Sequence, residues 1–430
     1  MFRSEILAIP AFRNLWLGQA ISQVGDAFYY VTFMFMVKKL TGSNAMVGYV
    51  GAVEVLPYLL FSPYAGVLAD RIDRRKIMLW SDILSGLVLV GLLAVTLGFG
   101  NPPVPVIFAT AFLLSSVRSF FLPTKNATIP AIVPAKKLLD AMSLSMATQN
   151  FMQLAGLAVS AGVLAALYQL SPFWFFFCAI AVNCLSFFGS AVFIAKLPPV
   201  IPDRQEGAAE ERHPLKDFTE GISFISRRPV LVTLMVVSMF FSLMVAPFFV
   251  IYVAANEAWF GGRPATLAWF EFAFFLGMIG GSIGVAKFKV KKPGLSFVAG
   301  LATVGAGVAA LAYSRSFGGF FWWNIVCGVA VPFADIPVKT YLQLTVPDEF
   351  RGRVNSSLMM LSTGMMPLGM GLAGTMVEIV GLVNGFLIMG IGMGVVAMLG
   401  LASRPFRTSI MPAEDPSHNN PKREPELLTA

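Results

Sequence analysis

Five ionisable side chains interrupt runs of apolar residues that are otherwise long enough to cross a bilayer: Asp26, Glu54, Arg118, Glu271 and Asp335. An ionised group in hydrocarbon costs roughly 3 kcal/mol or more on insertion scales, so each of them is a candidate for function. A carboxyl group in such a setting can take up and release protons, because desolvation and neighbouring like charges favour its neutral form. We therefore interpret these residues as candidates for proton coupling.

Asp26 lies in a stripe of polar and aromatic residues at helical spacing. We expect four members of this stripe to line a substrate cavity: Gln19, Gln23, Tyr30 and Phe33. The alternative is interhelical hydrogen bonding by buried polar groups. Counted along its helix, Glu54 is expected to lie at a depth similar to that of Asp26, about 15 Å into the membrane. The two carboxyl groups could therefore share a cavity, although a structural salt bridge or hydrogen bond is a second interpretation of Glu54.

The other three candidates have less specific surroundings. Arg118 is a lone cation near the inner end of the fourth run, where it could pair with a carboxylate, contact an anionic substrate or extend to the cytoplasmic interface. Asp335 and Lys339 are four residues apart, which favours a local ion pair over transport chemistry. Glu271 lies towards the outer end of the eighth run.

The composition is that of a membrane protein, with 57% hydrophobic and 13% charged residues. Soluble chains carry about 25% charged residues. Twelve candidate spans begin near Phe12, Asn44, Ile77, Val104, Leu138, Phe173, Val230, Ala265, Gly294, Gly319, Val354 and Gly385. The three cysteines fall in apolar runs and the two histidines in polar stretches, so we expect no disulfide framework, metal site or cofactor. No signal-peptide pattern precedes the first span.

Basic residues set the expected orientation. With the N-terminus inside, 26 of the 31 Lys and Arg residues fall in cytoplasmic segments, which predicts that both termini are cytoplasmic. The net charge of +8 then faces anionic lipid and does not indicate nucleic-acid binding. We predict an N-terminal six-helix bundle at 1–197, a cytoplasmic linker with an amphipathic helix at 198–229, a C-terminal six-helix bundle at 230–404 and a disordered cytoplasmic tail at 405–430.

A dense charge cluster separates the second and third spans and reads G-x-x-x-D-R-x-x-R-R, from Gly66 through Asp70 and Arg71 to Arg74 and Arg75. This loop resembles the signature of the major facilitator superfamily. Further stretches resemble its branch of enterobactin exporters and macrolide-efflux proteins: 12–19, 25–26, 56–57, 62–63, 118–123 and 351–354. In the second half, Val285 stands where Asp70 stands in the first, and the stretch 156–162 lacks the proline that is usual in the fifth span of antiporters.

The resemblance implies an all-α integral membrane protein with twelve transmembrane helices in two six-helix bundles. It implies a secondary active transporter in the bacterial inner membrane, a monomer that exports amphipathic small molecules by alternating access, with protons as coupling ion. It also implies that the charge cluster forms a cytoplasmic gate, in which Asp70 caps or pairs with groups of the neighbouring half; topology alone is the other interpretation. A lipid or lysolipid carrier of the same fold is the alternative function, and a channel or membrane-embedded enzyme fits the scattered carboxyl groups less well.

Overall fold

The computed structural model describes residues 6–134, 137–138, 140–149, 151–152, 155–156, 169, 171–201, 214–288 and 290–412. All regular secondary structure in these ranges is helical, which confirms the predicted all-helical class. Most of the predicted fifth span and all of the tail after 412 lie outside the described residues.

The helices of the first half follow the predicted spans closely. They are α1 (Pro10–Thr41), α2 (Asn44–Ala69), α3 (Arg74–Phe99), α4 (Val104–Ile132) and α5 (Pro172–Ile194), with a further helical segment at 140–149. Local chemistry fixes several ends. The Ser43 hydroxyl accepts a hydrogen bond from Met46 N at 3.3 Å and caps α2. Gly42 ends α1 with φ of 67°, a left-handed conformation that glycine adopts without strain.

The second half begins with the short helix α6 (Pro214–Ser226), which lies in the predicted linker. It continues with α7 (Pro229–Val245), α8 (Phe248–Trp259), α9 (Pro264–Phe288), α10 (Pro293–Leu311), α11 (Phe317–Thr345), α12 (Asp348–Val380), α13 (Leu382–Ala402) and α14 (Arg404–Arg407). The predicted seventh span is divided between α7 and α8, since Pro247 has no N–H to donate to the preceding turn.

In the described part of the chain, ten helical stretches are long and apolar enough to cross a membrane. They correspond to predicted spans two to four and six to twelve, with α7 and α8 together forming one stretch, Pro229–Trp259. The helix α1 is absent from this set, and it carries Arg13, Asp26, Lys38 and Lys39. The count of twelve spans therefore stays a prediction.

The chain folds into two compact units, which do not coincide with its two sequence halves. The first contains the described residues of Met1–Glu211 together with Phe249–Phe272 and Met370–Thr375. The second contains the described residues of Arg212–Phe248, Ala273–Gly369 and Met376–Ala430. Helix α8 and the beginning of α9 thus pack with the first half of the sequence.

Within the first unit, α1 packs on α5, α2 on α4, and α3 on both α4 and α5. Glycine allows the closest approach between α1 and α5. A Cβ atom added to Gly25 would lie only 2.6 Å from Asn183 Oδ1 and 2.7 Å from Ser186 Cβ. Small residues at such contacts let helix backbones approach and interact through van der Waals packing.

Within the second unit, α10 packs on α11 and α13, and the linker helix α6 is held against α12. Arg353 Nη1 lies 2.7 Å from Glu220 Oε2, and the rings of Phe224 and Phe350 stack at 4.7 Å. An ion pair and an aromatic pair therefore connect the linker helix to the start of α12.

Candidate functional site

An ion pair between Asp26 of α1 and Arg118 of α4 is the centre of the candidate site. Arg118 Nη2 lies 2.5 Å from Asp26 Oδ2, and the two side chains are 30% and 24% exposed. The guanidinium group also lies over the ring of Phe187, 5.5 Å from its centroid. The other carboxylate oxygen, Asp26 Oδ1, is buried and has no hydrogen-bond partner among the described residues. The pair is therefore formed, but half of the carboxylate is left without a donor.

Glu54 of α2 belongs to the same group of side chains. The Tyr29 hydroxyl donates a hydrogen bond to Glu54 Oε1 at 3.3 Å, and Tyr29 is itself buried. Arg118 interacts electrostatically with Glu54 as well as with Asp26. Arg118 thus forms an ion pair with Asp26 and a weaker, indirect interaction with Glu54, whose own hydrogen bond comes from Tyr29.

Glu271 approaches this group from α9. Tyr30 is within electrostatic range of both Glu271 and Glu54. Its ring is 38% exposed and lies 4.5 Å from the ring of Phe249 in α8. The first unit therefore brings Glu271 near Tyr30 of α1, from which it is distant in sequence.

The four stripe residues of α1 differ in their surroundings. Gln19 is 7% exposed and accepts a hydrogen bond from the Ser145 hydroxyl at 3.3 Å, and Phe33 is 1% exposed and stacks on Tyr29. The hydrogen bond of Gln19 fits the alternative interpretation given above, whereas Phe33 packs within its own helix. Gln23 is half-buried and its Oε1 has no partner among the described residues. Gln23 and Tyr30 remain the candidates for a cavity lining.

Asp335 lies in the second unit. Its Oδ2 accepts a hydrogen bond from Lys339 Nζ at 2.7 Å, within α11, and both side chains are exposed. This is the local ion pair that the spacing favours.

The basic residues of the signature loop bind backbone carbonyl groups of other helices in the first unit. Arg74 Nη1 donates to the carbonyl of Ala127 at 2.7 Å, and Arg75 Nη2 donates to that of Ala195 at 2.5 Å. Arg74 Nη2 also lies 3.4 Å from Asp70 Oδ1, within the loop. The loop therefore fastens the α2–α3 connection to α4 and to the end of α5.

The remaining positions of the loop are more open. Arg71 is exposed, and a Cβ atom at Gly66 would meet nothing within 4 Å. Asp73, which sequence analysis does not single out, caps α3 by accepting a hydrogen bond from Arg75 N at 3.1 Å. The same oxygen accepts one from Val200 N at 2.9 Å. Asp73 thus connects the loop to the chain that follows α5.

A second group of charges connects α1 to α8 in the first unit. Lys38 Nζ lies 3.2 Å from Glu257 Oε2, and Lys39 Nζ lies 3.8 Å from Glu257 Oε1. Lys38 is only 8% exposed and also donates to the carbonyl of Gly42 at 2.8 Å. This contact is not predictable from the sequence, because no local pattern places α8 beside α1.

Asp82 of α3 is a further carboxyl group that sequence analysis omits. It is 3% exposed, and its Oδ2 has no hydrogen-bond partner among the described residues. Asp82 could have been selected from the sequence, since it is an ionisable residue inside the apolar run Arg74–Phe99, as Asp26 is inside its own run.

A helical membrane protein with buried charges of this kind is compatible with several families, and sequence comparison decides among them. The model of the Major Facilitator Superfamily matches residues 15–363. The chain belongs to the major facilitator superfamily. It is thus a transport protein and not an enzyme, as predicted.

Relatives of this transporter include efflux proteins. Macrolide efflux protein A of Streptococcus pyogenes is 26% identical over 384 residues, covering 88% of this chain and 92% of the relative. Multidrug efflux pump Tap of Mycolicibacterium fortuitum is 27% identical over 410 residues, covering 89% and 95%. The crystal structure of nucleoside transporter NupG has a TM-score of 0.71 at 14% identity and covers 91% of this chain and 98% of that one, which shows the shared fold.

Proposed function

We propose that this transporter exports macrolide-like amphipathic molecules in exchange for protons, by alternating access. The observation that carries the proposal is the Asp26–Arg118 ion pair, in which one carboxylate oxygen lacks a donor. The similarity to macrolide and multidrug efflux proteins over most of the chain supports the substrate class.

The pair provides a way to couple proton binding to a rearrangement of charge. Two unit charges about 4 Å apart attract by about 4 kcal/mol at an effective dielectric constant of about 20. A proton on Asp26 removes this attraction and frees Arg118, which is already within range of Glu54. Glu54 is then the carboxyl group towards which Arg118 can move while Asp26 is neutral. Rocking of the helix bundles around such a site is the usual basis of alternating access.

The signature loop is the proposed cytoplasmic gate. Its arginines bind carbonyl groups of α4 and of the end of α5, so the loop can transmit movement among these helices. Asp70→Asn is expected to reduce transport and to leave membrane insertion and expression unchanged. Unchanged transport would limit the loop to a role in topology.

The test of the proposed function is accumulation of radiolabelled erythromycin in bacteria that lack their own exporters. Cells that express the protein should accumulate less than vector controls, and a protonophore should abolish the difference. Asp26→Asn should behave like the vector, whereas Asp140→Asn, which removes an exposed carboxylate, should behave like wild type. Equal accumulation in wild-type and vector cells would refute the macrolide class, and efflux that is insensitive to the protonophore would refute proton coupling.

A further inference from the structure

A column of buried polar side chains follows the packed helices α3 and α5 in the first unit. We name it the polar column; its members are Asp82 and Ser85 of α3, and Asn183, Ser186 and Ser190 of α5. Asp82 is 3% exposed, Ser85 1%, and both Asn183 and Ser190 0%. None of these residues belongs to the Asp26–Arg118 pair.

Several polar atoms of the column are unpaired. Asp82 Oδ2, Ser85 Oγ, Ser190 Oγ and Asn183 Nδ2 have no hydrogen-bond partner among the described residues. The Ser190 hydroxyl is a close neighbour of the Asp82 carboxyl group, although no hydrogen bond of normal geometry joins them. Because most buried polar groups in proteins are hydrogen-bonded, four unpaired atoms on two packed helices indicate that some of them gain a hydrogen-bonding proton.

The column extends towards the candidate coupling site. At one end, a Cβ atom added to Gly18 of α1 would lie 3.2 Å from Ser190 Oγ. At the other end, Gly25 packs directly on Asn183 and Ser186, and the next residue is Asp26. The two ends are separated by about 10 Å along the helix. The polar column thus extends from Asp82 to the residue of α1 that precedes Asp26.

The charges that face Asp82 do not neutralise it directly. Helix α3 packs on α4 and α5, and the groups that interact electrostatically with Asp82 are Arg118 of α4 and Asp26 of α1. Helix α5 contributes the Ser190 hydroxyl beside Asp82 and the thiol of Cys184, which donates to the carbonyl of Gly86. No cation of the described residues lies within ion-pair distance of Asp82. A bare carboxylate here would be costly, because buried charges need a partner.

We propose that Asp82 is a proton-binding site in its own right and that the polar column passes protons between it and Asp26. A proton on Asp82 gives the carboxyl group an O–H that can donate to Ser190. When the proton leaves Asp26, the remaining carboxylate pairs with Arg118, and Asp82 becomes neutral as it gains the proton. The hydroxyl groups of Ser186 and Ser190 can each accept one hydrogen bond and donate another. Ser186 Oγ donates to the carbonyl of Asn183 at 2.7 Å, so its O–H must turn for the transfer. The transfer part of this inference rests on the proposed proton coupling, whereas proton binding by Asp82 does not.

A sodium ion fits the column less well than a proton. Hard cations are usually surrounded by about six or more oxygen ligands. The column offers three unpaired oxygens, from Asp82, Ser85 and Ser190, and the unpaired atom of Asn183 is a hydrogen-bond donor.

The first experiment measures proton binding without transport. Infrared difference spectra of the purified full-length protein in detergent are recorded as pH is changed, and the carbonyl band of protonated carboxylic acids is followed. One component should be absent from Asp82→Asn and present in Asp26→Asn. Ser190→Ala should shift the frequency of that component, which keeps the test valid if Asp82→Asn does not fold. Ser81→Ala is the matched control, because Ser81 donates to the carbonyl of Val117 on α4 at 2.9 Å and lies outside the column.

The same band in wild type and Asp82→Asn would overturn the inference, as would a spectrum of Ser190→Ala identical to wild type. A third outcome would overturn the inference in favour of a sodium site: Na⁺ raises the stability of the wild-type protein but does not raise that of Asp82→Asn. In cells, Asp82→Asn should reduce uphill erythromycin efflux several-fold while downhill exchange persists. Asp82→Glu should restore uphill efflux. Uphill efflux by Asp82→Asn equal to that of wild type would overturn the transfer step. Efflux by the wild type that is insensitive to a protonophore would refute the proposed function, and the infrared result would still decide whether Asp82 binds a proton.

Discussion

The Asp26–Arg118 pair can be tested by a double-mutant cycle. Breaking a fully buried ion pair by removing one partner costs about 3–5 kcal/mol, whereas an exposed pair contributes at most about 1 kcal/mol. These side chains are 24% and 30% exposed, so the pair lies between the two limits. We therefore expect a coupling free energy of about 2 kcal/mol. Asp26→Asn and Arg118→Gln should each destabilise the protein, because each removes the attraction within the pair. The loss should be smaller for Asp26→Asn, since Glu54 still attracts Arg118.

The double variant should be more stable than either single variant, since both charges are gone. The stabilities are measured by thermal unfolding of the detergent-purified variants. The control is the same cycle of two single variants and one double variant at Asp335 and Lys339, which form an exposed pair. That control set should show little coupling. If the double variant at Asp26 and Arg118 is destabilised by the sum of the two single effects, the residues do not interact and the proposed coupling mechanism loses its basis.

Three further results are expected. Glu54→Gln should abolish uphill efflux and preserve downhill exchange, whereas Tyr29→Phe should retain both activities with altered pH dependence. Equal uphill efflux by Glu54→Gln and wild type would exclude Glu54 as the group that pairs with Arg118 after its release from Asp26. Asp73→Ala should cost about 1–2 kcal/mol through loss of the α3 cap, measured by thermal unfolding, and no change would show that the cap is dispensable. Glu257→Gln should lower the unfolding temperature, because Lys38 is nearly buried and would lose its anionic partner. High salt should reduce the difference in unfolding temperature between wild type and Glu257→Gln. A difference that does not depend on salt would contradict an electrostatic contact.

The helices could be predicted from the sequence because their ends depend on local chemistry. Apolar length sets each span, and Pro172, Pro229 and Pro293 lie within one residue of predicted beginnings. Proline at the first helical turn needs no partner for an N–H. The break at Pro247 could also be read locally, since proline interrupts a helix interior. By contrast, the packing of α8 with the first half depends on contacts between distant segments and is not encoded in any local pattern.

The site was predictable only as a set of residue types. The cost of charge in a membrane selects Asp26, Glu54 and Arg118, and the same rule selects Asp82. The partners of these groups could not be predicted, because Asp26 and Arg118 are separated by 92 residues and meet through tertiary packing. Asp335 differs in this respect, since its partner lies one helical turn away.

Proton flux in proteoliposomes tests the central claim most directly. The purified protein is reconstituted with a pH-sensitive dye inside the vesicles, and an erythromycin gradient is imposed without a pH gradient. We expect that wild-type protein moves protons in the direction opposite to erythromycin, and that Asp26→Asn moves erythromycin down its gradient with no proton movement. Erythromycin transport by the wild type without a change in internal pH, or proton movement that persists in Asp26→Asn, would contradict it.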